Sequence, residues 1–156
     1  MSYGDIMDMI ACREYSAARR FMGRLPHGGD LLEALETFCV ARNIQAGVFS
    51  LVGAVSKAVL GTYDQSQQVY ATFTAEGDLE ILSCTGNISL KDGKPFVHAH
   101  VILAGEGGKT IGGHLFPGTI IFAGEAHILE LAGPPPVREY DPVTGLMLWK
   151  MDPAGS

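Results

Sequence analysis

The stretch HAHVILAGEGGKTIGGHL, residues 98–115, carries three of the chain's five histidines around a run of glycines. Successive side chains of an extended strand point to opposite faces, so His98, His100 and Ile102 share one face. The other face is apolar, with Val97, Ala99, Val101 and Leu103. This alternation predicts a half-buried β-strand over residues 96–104, followed by a glycine turn from which His114 is presented.

Runs rich in β-branched and aromatic residues recur along the chain and indicate further strands. They lie at residues 46–55, 57–63, 68–73, 79–90, 119–124 and 127–132. Residues 29–43, GDLLEALETFCVARN, follow a helical period instead, with Asp30 and Glu33 spaced as an N-terminal capping pair and Asn43 suited to the exit. The predicted fold class is therefore α+β, a mostly antiparallel β-sheet with one main amphipathic helix.

The chain of 156 residues fits one domain with a sizeable core. We expect an N-terminal extension over residues 1–17, a single domain over 18–150 and a frayed C-terminus over 151–156. The prolines at 134–136 predict an extended connector, because proline cannot lie in a central strand. LMLWK, residues 146–150, is expected to form an edge strand or to dock on a neighbouring subunit.

The composition is unusually apolar. Hydrophobic residues make up 47%, and counting the 20 glycines while leaving out tyrosine raises the apolar fraction to about 56%, against a typical ~45–50%. No run is long enough for a membrane helix, so we expect the surplus at a subunit interface. The N-terminal acidic residues do not fit a signal peptide, and a cytoplasmic location is expected. Cys12, Cys39 and Cys84 are too widely spaced for a cysteine zinc site and are expected to be buried.

A metal site is one interpretation of the histidines. Two imidazoles on one strand face lean toward one ion, and Gly112 and Gly113 let the backbone before His114 approach a neighbouring strand. The alternative is a polar strand face turned to water. Nickel, iron, manganese and zinc all accept imidazole, so spacing does not choose the metal.

The remaining histidines and two carboxylates complete the set of candidates. His27 is expected in a solvated turn, and His127 is expected in the core rather than supporting a ligand. Glu80 and Glu125 are weak candidates to orient a ligand imidazole or to act as a general base, although such residues are more often simply solvated.

The net charge of the chain and the distribution of its basic residues give little support to nucleic-acid binding. The formal net charge is −6, whereas proteins that grip phosphates concentrate Lys and Arg on one face. The one dense basic stretch contains Arg13, Arg19, Arg20 and Arg24. Arg19, Arg20 and Arg24 are therefore the candidate DNA contacts.

Several motifs in order resemble the plants and prokaryotes conserved (PPC) domain. They are GDLEILSCTGNISL, HAHVILAGEGGKTIGGHLFPG and REYDPVTGL, and the resemblance runs from about Arg20 to Leu148. It implies a stand-alone α/β domain that assembles as a homotrimer, with His98, His100 and His114 as metal ligands. Plant members of the family add an AT-hook with a Gly-Arg-Pro core, a sequence that this chain does not contain.

Two functions follow from these observations. The first is a homotrimer that binds a divalent metal, expected to be zinc, with a DNA-associated or regulatory role by family resemblance. The second is a metal-dependent enzyme of the hydrolase or lyase type, in which an open coordination position acts on a small-molecule ligand. The sequence leans away from an enzyme, because it has no substrate-defining motif.

Overall fold

Eight β-strands, one α-helix and a short 3-10 turn form the part of the chain that the computed structural model describes, residues 11–151. Most of the predicted N-terminal extension and the predicted frayed end after residue 151 lie outside these residues. The elements in chain order are β1 (Ser16–Arg24), α1 (Leu31–Arg42), β2 (Gly47–Asp64), β3 (Val69–Lys91), β4 (Lys94–Ala104), the 3-10 turn (Glu106–Gly108), β5 (Thr110–Leu115), β6 (Ile120–Ala132), β7 (Arg138–Asp141) and β8 (Leu146–Trp149).

Six strands form one antiparallel sheet in the order β1-β6-β2-β3-β4-β5. β2 also pairs with β5 through Leu60 with Leu115 and Gly61 with His114, so β2, β3, β4 and β5 close into a ring. β7 and β8 form a separate hairpin. It is joined to the sheet by a bridge between Leu90 and Val137. The mostly antiparallel sheet with one helix confirms the predicted fold class.

The predicted strands are present but longer than expected. Residues 46–55 and 57–63 belong to one strand, β2, whose register shifts mark irregularities between Leu51 and Gly53 and between Val55 and Lys57. Residues 68–73 and 79–90 likewise form β3, and residues 119–124 and 127–132 form β6. Gly77, which lies between two of the predicted strands, therefore sits inside β3 with a φ of 119°. Gly53 has a φ of 146°, and a Cβ there would lie 2.2 Å from the Ala123 carbonyl oxygen.

The helix begins and ends where its capping residues predict. The Asp30 carboxylate accepts a hydrogen bond from the Glu33 backbone N–H at 3.0 Å, and Asn43 takes the left-handed conformation at the C-terminus. The helix buries its apolar face: Leu31, Leu32, Leu35 and Cys39. These side chains join the core formed by the inward face of the sheet.

Three strands were not predicted: β1, β5 and β7. The prediction that His114 follows a turn was wrong, since Gly112 and Gly113 lie within β5. The turn comes earlier, at Gly107, whose φ is 69°. The expected close approach of strands is present. A Cβ on Gly113 would lie 2.7 Å from the Gly61 carbonyl oxygen, so glycine is required for β5 to pair with β2.

Two burial predictions fail. Cys39 and Cys84 are buried as expected, but Cys12 is exposed because it precedes the first strand of the described chain. His127 is exposed, because β6 directs Ala126 and Ile128 into the core and the residue between them outward. The C-terminal predictions hold: residues 134–136 belong to no strand, and LMLWK supplies the edge strand β8. In the part of the chain that the structure describes, no helix is long and apolar enough to cross a membrane.

Candidate metal centre

The pairing of β4 with β3 and β5 brings the three histidines together. His98 and His100 lie on one face of β4, and the register places His114 of β5 directly beside His100. On the other side of β4, His98 is opposite Asn87 and His100 is opposite Thr85. His100 pairs with both β3 and β5, and His114 pairs with both β4 and β2, so their backbones are held by strand neighbours on both sides, whereas His98 pairs with β3 alone.

The three side chains converge. One ligand nitrogen from each histidine can be chosen so that all lie within 4.8 Å of one another. The ring centroids are 5.1 Å apart for His98 and His100, 4.9 Å for His98 and His114, and 5.4 Å for His100 and His114. Nitrogens on a tetrahedral zinc ion are about 3.3 Å apart, so modest rotations of the rings bring this set to ligand distance.

One ring nitrogen of the cluster has no hydrogen-bond partner. The Nδ1 atom of His114 is buried and makes no hydrogen bond. Tyr70 and Phe116 pack against the same ring, each at a centroid distance of 4.9 Å. A buried unpaired polar atom costs about 1–3 kcal/mol, and a cation that accepts its lone pair would remove that cost. The residues therefore fit a bound metal ion.

The electrostatics of the cluster favour neutral imidazoles. Burial lowers the pKa of His98 to about 4, and the positive charge of Arg138 and the neighbouring histidines act in the same direction. The pKa of His114 is also lowered to about 4, first by burial and then by His100 and Arg138. Metal binding requires the neutral form of histidine, so His98 and His114 are ready to act as ligands at neutral pH.

A cleft of about 300 Å³ opens beside the cluster. His98 and His114 form part of its wall, together with the aromatic residues Tyr63, Tyr70 and Phe96 and with Arg138 of β7. Sequence reasoning missed Arg138. It lies in the REYDPVTGL motif, but no local pattern indicates that β7 folds back beside residues 87–89 of β3.

The two candidate carboxylates lie away from the cluster. Glu80 is exposed and opposite Ala104, four positions beyond His100 on β4 and therefore about 13 Å away along the strand. Glu125 is exposed on β6, where it lies opposite Arg24 of β1. Neither residue lines the cleft, and within residues 11–151 the cleft wall includes no carboxylate.

The candidate DNA contacts all lie on the edge strand β1. Arg19 is engaged: its guanidinium donates to the Glu130 carboxylate at 2.8 Å and to the Arg42 carbonyl oxygen at 2.7 Å. Arg20 and Arg24 are exposed. The strand therefore presents less free positive charge than the sequence suggests.

Comparisons with known proteins agree with this architecture. A family model described as the Plants and Prokaryotes Conserved (PCC) domain matches residues 12–132. A metal-containing protein from Archaeoglobus fulgidus is 42% identical, with a TM-score of 0.87 over 90% of this chain and 99% of its own. A plant- and prokaryote-conserved (PPC) protein from Pyrococcus horikoshii is 33% identical, with a TM-score of 0.85 over 90% of this chain and 97% of its own.

Two further relatives are described by other names. A candidate DNA-binding protein from Ralstonia eutropha JMP134 is 26% identical, with a TM-score of 0.74 over 84% of this chain and 90% of its own. The bifunctional protein GlmU of Synechococcus sp. strain JA-3-3Ab is 36% identical over 126 residues, which are 80% of this chain and 19% of that protein. The chain thus spans about a fifth of the length of the curated relatives it matches.

Proposed function

Since this chain belongs to the Plants and Prokaryotes Conserved domain family, we propose that it is a metal-binding domain, residues 18–150, that holds one divalent ion through His98, His100 and His114. The observation that carries the proposal is the convergence of three ligand nitrogens within 4.8 Å. The buried and unpartnered Nδ1 of His114 supports it, because a structural histidine normally pairs that atom. A relative that is 42% identical is a metal-containing protein.

Zinc is the ion we propose. Three imidazoles with an open fourth position are a common zinc arrangement, and zinc tolerates the small adjustments that these rings need. When bound, the ion would supply a Lewis acid beside the cleft. Asn87 faces His98 across the sheet, and Tyr70 and Phe116 hold the His114 ring. The role of these residues is to orient the ligands and to limit access of water.

The metal content of a His100→Ala variant tests this proposal. We expect the wild-type chain to retain about one metal ion per chain through gentle purification, and the variant to lose it, because two imidazoles alone bind a divalent ion weakly. Inductively coupled plasma mass spectrometry measures the stoichiometry and identifies the metal. His127→Ala is the matched control, since His127 is an exposed strand histidine outside the cluster. Unchanged metal content in His100→Ala would rule out the site.

We also propose that the chain assembles as a homotrimer. Large apolar side chains are exposed on the sheet face turned away from the core, among them Met22, Val52, Leu82 and Ile102. Met22, Val52 and Leu82 line one depression, and exposed apolar side chains grouped in this way indicate a protein interface. The PPC resemblance implies three copies.

A DNA-associated or regulatory role is the biological function that the family suggests. A Ralstonia relative that is 26% identical is a candidate DNA-binding protein, and Arg20 and Arg24 are exposed on β1. Gel-shift titrations over a range of salt concentrations test this role. The absence of any complex at low salt, where phosphate contacts are strongest, would argue against it.

A metal-dependent enzyme is the second candidate function, and the cleft of about 300 Å³ beside the histidines favours it. The volume is at the lower end for a small-molecule site, and the open metal position would face its occupant. Glu80 and Glu125 are unsuited to act as the base, because neither lines the cleft. Hydrolysis of esters or phosphoesters that depends on added zinc would support the enzyme, and its absence would count against it.

A further inference from the structure

Arg138 is a buried cation held by neutral groups. Its side chain belongs to a residue only 9% exposed. The guanidinium donates from Nε to the Ser89 hydroxyl at 2.9 Å, from Nη1 to the Met147 carbonyl oxygen at 2.8 Å and from Nη2 to the Asn87 side-chain oxygen at 2.9 Å. Its charge also lies 5.0 Å from the centre of the Phe96 ring. These contacts fix the orientation of the guanidinium.

None of these contacts neutralises the charge. Among residues 11–151, the hydrogen bonds and ion pairs of Arg138 include no Asp or Glu. Burying an unpaired charge costs several kcal/mol, so buried guanidinium groups normally pair with an anion. A guanidinium has more N–H donors than these three acceptors use, so donors are left for another partner.

The free side of Arg138 belongs to the same cleft as the histidines. Arg138, His98 and His114 all line it. Asn87 links the two sites, because it accepts a hydrogen bond from Arg138 and lies opposite His98 in the sheet. Lys91, whose ammonium lies 5.4 Å from the centre of the Phe96 ring, adds a second positive charge to the wall.

The positive charge of the cleft is therefore not balanced by a negative group. Arg138, Lys91 and a divalent ion on the histidines would all be positive, and no carboxylate of the described chain lines the cavity. A planar guanidinium matches the oxygens of a carboxylate or phosphate, and a metal with three histidine ligands has room for one such oxygen. The aromatic rings of Tyr63, Tyr70 and Phe96 provide apolar contact for the rest of a small molecule.

We infer that the cleft binds a small molecule that carries a carboxylate or phosphate group. The oxygens of this group would accept hydrogen bonds from Arg138 and face the metal site. This inference rests on the metal centre proposed above, although the Arg138 half of the site does not require the ion. The cavity of about 300 Å³ limits the ligand to the size of a small organic acid or a phosphate ester.

The test uses acetate, benzoate and inorganic phosphate as probes of the full chain. In the cobalt-loaded protein, an oxyanion that reaches the metal changes the visible absorption spectrum. NMR of the wild-type Arg138 Nε–H, in both the metal-free and the loaded protein, reports contact with the guanidinium and needs no substitution. Benzoate and acetate stand for carboxylates, so the tightest of the three probes identifies which oxyanion the cleft prefers.

Two substitutions test whether the bound probe contacts Arg138. We expect Arg138→Gln to weaken binding of the best probe by about tenfold or more, since charge-assisted hydrogen bonds are lost. Arg20→Gln removes an exposed arginine on β1 and is expected to leave affinity within about twofold. Circular dichroism checks that each variant is folded, and the wild-type NMR titration carries the test if Arg138→Gln is not.

The two proposals fail separately. If cobalt binds but no probe alters either the spectrum or the Arg138 signal, the oxyanion site is wrong and the metal centre stands. If cobalt does not bind but a probe shifts the Arg138 signal of the metal-free chain, the metal centre is wrong and the anion site stands. Equal weakening by Arg138→Gln and Arg20→Gln would also overturn the inference, because it would indicate nonspecific charge attraction.

Discussion

His98 and His114 are enclosed histidines whose neutral form the fold prefers. Their folded pKa values of about 4 lie well below the ordinary value of 6.5 because both rings are partly buried beside other positive groups. As the pH falls below about 6.5, the unfolded chain takes up protons at these residues while the folded chain does not. Their contribution to stability is therefore complete above about pH 6.5 and is lost between about pH 6.5 and 4.

Urea unfolding of the metal-free protein measures this effect. We expect the free energy of unfolding to fall by about 2 kcal/mol between pH 7 and pH 5 from these two residues, allowing for their partial exposure. A variant with His98→Gln and His114→Gln is the control, because carboxylates titrate equally in both proteins. The same pH dependence in the variant would show that the two pKa values are not depressed.

At the scale of residues, part of the candidate metal site could be predicted from the sequence. Alternation along β4 places His98 and His100 on one face without further information. The glycines before His114 placed it with them, although its own strand was taken for a turn, and the family resemblance implied the same three ligands. Arg138 was not predicted, because its contacts to Ser89 and Asn87 cross 49 and 51 residues of chain and depend on how the β7–β8 hairpin docks.

At the scale of elements, close approach between strands depends on glycine. Gly86 of β3 pairs with Ala99 of β4 and Phe49 of β2. A Cβ at this position would lie 2.2 Å from the His98 carbonyl oxygen and 2.5 Å from Cζ of the Phe49 ring. Real side chains do not tolerate such distances, so the strand that carries His98 would have to move.

Gly86→Ala is therefore expected to destabilise the fold by about 1–3 kcal/mol or more, because overpacking forces backbone shifts. Urea unfolding measures the loss. The matched control is Gly23→Ala, on β1, where an added Cβ meets nothing within 4 Å and the change is expected to be close to neutral. A Gly86→Ala protein as stable as the control would mean that the sheet is looser here than the structure indicates.

Local sequence signals explain why the helix was predicted more accurately than the strands. Capping residues define the ends of α1, so the helix was predicted nearly to the residue. Residues 68–73 and 79–90 were predicted as separate strands, yet Gly77 between them lies inside the continuous strand β3 with a φ of 119°. A glycine that ends a strand and one that bends it have the same local sequence signature. β1 was missed because its residues, SAARRFMGR, show no period-two alternation.

At the scale of the whole molecule, part of the hydrophobic surplus lies on the exposed surface. Met22 is 88% exposed, and Val52 and Leu82 are each 54% exposed. These three side chains line one shallow depression that spans β1, β2 and β3. Leu82 lies where the pairing of β3 with both of its neighbours is irregular, so its side chain makes little contribution to the core of its own chain.

Leu82→Glu is expected to weaken or abolish the proposed homotrimer, because three carboxylates would be brought into an apolar interface without partners. Native mass spectrometry of the wild-type protein should give the mass of three chains, and the variant should shift toward one chain. Val143→Glu is the control: Val143 is 81% exposed between β7 and β8, away from this depression. Leu82 is half exposed in the single chain, so circular dichroism should show that both variants are folded. Any dissociation of Leu82→Glu would then result from the loss of the interface. A trimer that persists in Leu82→Glu would place the contacts between copies on another face of the sheet.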